Sequence, residues 1–198
     1  MRRKTFDALA TIAGFALAVV LLVAGGLLLW GHNFVSDQVH SQLAAQKIVF
    51  PPKSSPAIKE LPAADAAAMS KYSGQLMTNG AQAQTYADHF ILVHLDKVAN
   101  GQTYAQVSGK ALQNPNNAQL QEQVATLFKG TALRGMLLNA YAFWKIGQIA
   151  FIAAIVAFVG AGIFLLLAAL GLVHQLRVAP DKDLFIKREA AREPAGVH

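Results

Sequence analysis

The chain has no cysteine. Disulfides, thiolate metal sites, iron–sulfur clusters and cysteine nucleophiles are therefore excluded. Charge is scarce too: 14% of the 198 residues are Asp, Glu, Lys or Arg, against about 25% in ordinary soluble domains. No nucleophile elbow, P-loop, zincin helix or dinucleotide fingerprint occurs, so the common sequence-readable catalytic and nucleotide-binding motifs are missing. What is abundant is apolar: 54% of residues are hydrophobic. That composition excludes a disordered chain and fits a fully water-soluble one poorly.

The apolar residues are concentrated. Ala8 to Trp30 carries no charge, and neither does Ile146 to Val173, runs of 23 and 28 residues. A bilayer core about 30 Å thick needs roughly 20 apolar residues at about 1.5 Å each. Both runs meet that length and are expected to span a membrane. Arg2, Arg3 and Lys4 give the first run a basic flank, but its apolar stretch is longer than a cleavable signal's. It reads as an uncleaved signal anchor.

Lys and Arg near the span ends set the orientation. Arg2, Arg3 and Lys4 precede the first span, while Arg177, Lys182, Lys187, Arg188 and Arg192 follow the second. Both termini are expected in the cytoplasm. The partition is a cytoplasmic N-terminus (1–7), transmembrane helix 1 (8–30), an extracytoplasmic helical domain (31–145), transmembrane helix 2 (146–174) and a cytoplasmic tail (175–198). Trp30 and Phe34 at one span, and Tyr141, Phe143 and Trp144 at the other, are expected as interfacial aromatics on the same side. The net charge of +6 divides among both ends and the outer region, so a membrane-oriented chain explains it better than nucleic-acid binding.

The outer region is rich in Ala and Gln without strand-like alternation, so the expected fold class is all-α: two transmembrane helices extending into an outward-facing helical domain. The first span is expected to continue outward until Phe50-Pro51-Pro52 stops it. Residues 51–63 read as a linker or crossover. Helices are expected over Ala64–Leu76, Gln82–Val98 (stopped by Asn100-Gly101) and Thr103–Leu112 with a Thr cap. A last helix carries Leu120, Val124 and Leu127, with an interruption at Lys129-Gly130-Thr131, before the chain enters the second span.

In lipid, small residues that permit close backbone approach are the packing signal. Span one offers Ala10, Gly14 and Ala18; span two offers Gly147, Ala150, Ala154, Ala157 and Ala161, continuing to Ala168 and Gly171. Two clusters have metal-ligand chemistry, His32, Asp37 and His40, and Asp88, His89, His94 and Asp96. His89 and His94 are five apart, whereas a helical ligand pair prefers three or four. These residues are candidates only if the tertiary fold converges them, and no cofactor is expected.

Three stretches carry a resemblance: residues 6–52, the segment TYADHFILVHL, and ATLFKGTALRGMLLNAYAFWKIGQIAFIAAIVAFVGA. They resemble an actinobacterial family of two-span membrane proteins, some of whose members are labelled as aromatic ring-opening dioxygenases. The resemblance implies a bacterial plasma-membrane setting and supplies no catalytic residue. Such dioxygenases need an iron site, for which this sequence has no ordered ligand motif. The reading is an accessory, structural or interaction component of the cell envelope, in a homo-oligomer or larger membrane complex, with the lipid bilayer as a partner and no nucleic acid. The alternatives are a module binding a lipid or small apolar ligand, lined by Tyr86, Phe90, Tyr104, Phe128 and Tyr141, and a metal-dependent enzyme using the outer Asp and His residues.

Overall fold

A computed structural model describes residues 3–177, with side chains from residue 5 onward. The basic residues Arg2, Lys182, Lys187, Arg188 and Arg192 and most of the expected tail lie outside the described residues. The described residues are all-α: α1 (Arg3–Ala45), α2 (Pro56–Lys59), α3 (Ala63–Ser70), α4 (Gly80–Tyr86), a π-helical turn (Ala87–Ile91), α5 (Leu92–Ala99), α6 (Tyr104–Gln113) and α7 (Ala118–Arg177). Two of them, α1 and α7, are long and apolar enough to cross a membrane. Their most apolar windows are only 11% and 17% buried within the molecule. A core helix of a soluble protein would hide such a stretch; these turn Leu, Ile, Val and Phe outward.

The described residues divide into two compact units, one made of residues 28–152 and the other of residues 3–27 and 153–177. In the second unit the described parts of α1 and α7 pair antiparallel. A Cβ built on Gly14 would lie 3.3 Å from the Cβ of Ala168, and one on Gly160 would lie 3.3 Å from Leu21 Cδ1. The seam on α7 uses Ala154, Ala157, Ala161 and Ala168, all buried. On α1 it uses Thr11, Gly14, Ala18 and Gly25. Steps alternating between three and four residues keep a narrow stripe facing its partner. Ala10 corrects the expectation, because it is exposed and Thr11 is the buried residue. A row of strict four-residue steps rotates off the seam, and Ala10 to Gly14 is one such step.

Thr11 is also the polar tie of this pair. Its hydroxyl donates to the Asp7 carbonyl at 2.8 Å and accepts from Gln175 Nε2 at 2.8 Å. Gly171 leaves the room, since a Cβ there would lie 2.7 Å from Thr11 Oγ1. Because native cysteine is absent, the seam is open to a direct test. A Gly14→Cys, Ala168→Cys pair should oxidise to an intrachain disulfide in native membranes. Adding Ala154→Leu and Ala157→Leu should prevent it, since each overfilled buried site costs about 1–3 kcal/mol. Unchanged crosslinking on non-reducing gels would refute the seam.

The unit of residues 28–152 holds the helical core. Here α1 ends at Ala45, earlier than the expected stop at Phe50, because Lys47 adopts a left-handed backbone (φ 54°) and redirects the chain. Residues 48–50 then run extended beside 75–77: Phe50 N–H donates to the Gln75 carbonyl at 2.9 Å, and Met77 N–H donates to the Ile48 carbonyl at 2.8 Å. This antiparallel bridge, Val49 with Leu76, takes up the end of the expected Ala64–Leu76 helix, and α3 stops at Ser70. Residues 51–63 form a packed connection, for α2 lies within them and Ile58 and Leu61 are buried in the core.

Asn79 opens α4 with a capping box closed by Gln82. Asn100 (φ 49°) and Gly101 (φ 74°) end α5 in left-handed backbone, the geometry their residue types favour. Thr103 caps α6 with a second box, to Gln106. The expected interruption at residues 129–131 does not occur, since α7 is continuous from Ala118 to Arg177. Gly130 serves close approach instead: a Cβ there would lie 2.4 Å from Leu95 Cδ2. The main core gathers Phe50, Ile58, Met69, Met77, Ile91 and Leu137, and a smaller one joins Ala99, Val107 and Leu127.

Candidate functional site

The titratable residues singled out in the sequence are dispersed among separate partners. His32 sits on α1 with Nδ1 2.8 Å from the Gly147 carbonyl and its ring 4.8 Å from Phe151. It ties two helices of one unit together. Asp37 and His40 are exposed on α1, and Asp96 is exposed on α5. Asp88 and His89, adjacent in sequence, lie on the π-helical turn and separate. Asp88 accepts from Arg134 NH2 at 2.7 Å, whereas His89 Nδ1 lies 2.7 Å from Asp65 Oδ1 on α3. His94 Nδ1 is 2.7 Å from the Phe90 carbonyl, the residue one turn earlier. Among the described residues no three of these groups converge as metal ligands.

The rings expected to line an apolar pocket are instead packed. Phe50 meets Tyr72 at 5.3 Å and Tyr86 edge-on at 5.4 Å; Tyr86 meets Phe90 at 4.8 Å, and Phe90 meets His94 at 4.4 Å. Offset and edge-on contacts of this kind are a core arrangement, and Tyr86 and Phe90 pack against the main core. Burial pushes the Tyr86 phenol above its ordinary range, which keeps it neutral. Tyr104 and Phe128 meet at 5.9 Å on a partly exposed surface.

The interface aromatics split. Trp30 and Phe34 stack at 5.7 Å and both are exposed, as is Phe143. Tyr141 is half-buried. Trp144 turns inward and packs over Gly80, against the expectation that it faces the interface. Arg134 is engaged by Asp88 within the molecule.

The candidate site lies elsewhere in the same unit. Between the end of α1 and the middle of α7 runs an open groove of about 630 Å³, within the size range of small-molecule sites. Its floor is Val39, Leu43 and Leu137, all buried; its walls include Phe34, Met136 and Phe143, which are 52%, 69% and 59% exposed. Gln38, Gln42, Gln46 and Asn139 supply the polar atoms, and no Asp, Glu, Lys or Arg lines it. Gln42 Nε2 donates to Gln38 Oε1 at 3.4 Å, joining the amides into a row. The groove therefore offers an uncharged, apolar trough with one amide rail.

Sequence reasoning missed this trough, although a signal is present. Phe34, Gln38, Gln42 and Gln46 recur every four residues beside Val35, Val39 and Leu43. Residues 135–144 carry no charge despite standing outside the apolar run. A second, smaller pocket of about 320 Å³ lies in the other unit, against Thr11, Gly14 and Ala168 with Asp7 and His174 at its margin. No protein-family model matches the chain, and neither a curated protein nor a solved structure does.

Proposed function

We propose that this chain is a two-pass integral membrane protein whose helical unit acts outside the cytoplasm as an interaction component of the bacterial envelope. The observation that carries the membrane assignment is the outward-facing apolar surface of α1 and α7, left unburied by the molecule itself. In water that surface would aggregate; in a bilayer it is solvated. The Lys and Arg balance of the span flanks supports cytoplasmic termini, and the resemblance supports a bacterial plasma membrane. The uncharged groove supports an interaction role. The chain works as a homo-oligomer or within a larger membrane complex.

Two measurements test the reading. A Ser54→Cys variant should react with an impermeant thiol reagent from outside intact cells, and an Ala195→Cys variant only after permeabilisation; the reverse pattern would overturn the orientation. Native mass spectrometry after mild detergent extraction should show a second subunit, of this chain or of another protein. A bare monomer at all gentle conditions would overturn the interaction role.

A further inference from the structure

We propose that the groove between α1 and α7 holds one alkyl chain of a membrane lipid. The assignment rests on the bilayer reading above and adds the occupant. Length is the first argument. From Phe34 to Gln46 the groove follows twelve residue steps of α1 and its exit, about 18 Å at about 1.5 Å per residue. One leaflet's hydrocarbon is about 15 Å deep, half of the bilayer core.

Width is the second. Spread along about 18 Å, a volume of 630 Å³ corresponds to a mean cross-section of about 35 Å². The trough is wide enough for a single extended hydrocarbon chain.

Chemistry is the third. The floor and walls are Val, Leu, Met and Phe side chains, and no formal charge lines the trough. At its Phe34–Phe143 end the groove adjoins exposed Trp30, Ile146 and Ile149, the neighbouring turns of the same two helices in the same unit. An alkyl chain leaving the outer leaflet enters along continuous apolar surface.

The test uses the full chain in nanodiscs of phosphatidylglycerol doped with the same lipid carrying a diazirine midway along one acyl chain. After illumination, mass spectrometry should place adducts on residues 34–48 and 133–143, beyond those on the spans. Ala140→Trp fills the trough and should abolish the groove adducts. Met136→Glu charges an already exposed wall, leaves folding intact and should lower them severalfold. Adducts confined to residues 8–30 and 146–174 would overturn the proposal. So would groove adducts indifferent to both substitutions, or a photoreactive residue at position 136 that captures protein rather than lipid. Loss of adducts from the spans as well would remove the bilayer reading itself, so the two failures are distinguishable.

Discussion

Phe50→Ala should destabilise the helical unit by about 3–5 kcal/mol, the usual cost of emptying a filled aromatic site. The ring is 0% exposed and lies against Tyr72 and Tyr86. Its backbone is held on both sides: the amide donates to Gln75, and the carbonyl accepts from Gly74 at 3.0 Å. The neighbours therefore cannot collapse into the space without breaking the bridge between residues 48–50 and 75–77. Phe128→Ala is the matching control, because that ring is 60% exposed and surface changes stay within about 0.5 kcal/mol. Thermal unfolding of the full chain in detergent, followed by near-ultraviolet dichroism, should show a large fall for the first variant and almost none for the second. Equal small shifts would refute the core described for this unit.

Gly80→Val should be nearly as damaging. A Cβ at position 80 would meet Trp144 Cβ at 2.4 Å and Cγ at 2.7 Å. The first of these atoms is bonded directly to the α7 backbone, so no rotamer of Trp144 removes it. One of α4 and α7 must move, and overpacking of this kind costs about 1–3 kcal/mol or somewhat more. Gly130→Ala makes the contrast, because the obstructing atom there is Leu95 Cδ2, the far end of a flexible side chain. Leu95 can turn away, and alanine gains about 1 kcal/mol of helix propensity over glycine. That variant should be close to neutral. In a double-mutant cycle, Trp144→Gly, which removes that Cβ, should absorb part of the Gly80→Val penalty, with coupling of about 0.5–3 kcal/mol. Strict additivity would show that the two residues do not touch.

What was legible in the sequence was what depends on neighbouring residues. The apolar runs of α1 and α7 follow from composition over twenty residues, and the Thr103 cap and the Asn100-Gly101 stop follow from backbone preferences of single residues. What was hidden depends on distant partners. Asp65 lies 24 residues from His89 and Asp88 lies 46 from Arg134, so spacing rules for one helix could pair neither. Gly130 reads as a breaker in isolation, but α7 runs through it unbroken and passes close to Leu95 there. The bridge at Val49 is too short for a period of two to register. The groove was half visible, as a four-residue amide row, but its second wall comes from α7 almost a hundred residues later.

The π-helical turn has a consequence for how this chain can change. Along residues 80–99, Ala83, Ala87, Ile91, Leu95 and Ala99 all contribute to a core, and they recur every four residues. In an unbroken α-helix each such step overshoots one turn by about 40°, so four steps would rotate the last residue about 160° away from the first. An apolar stripe is only about 100° wide. A π-turn acts as one surplus residue accommodated in the helix, which sets the accumulated rotation back to roughly 60°. Residues 87–91 thus work as a phase corrector between two half-helices. A single-residue deletion there would remove the surplus residue and leave an unbroken α-helix with Leu95 and Ala99 still in phase with Ala83; tightening the turn to α-geometry without a deletion would swing both toward solvent and turn the polar face of α5 to the core.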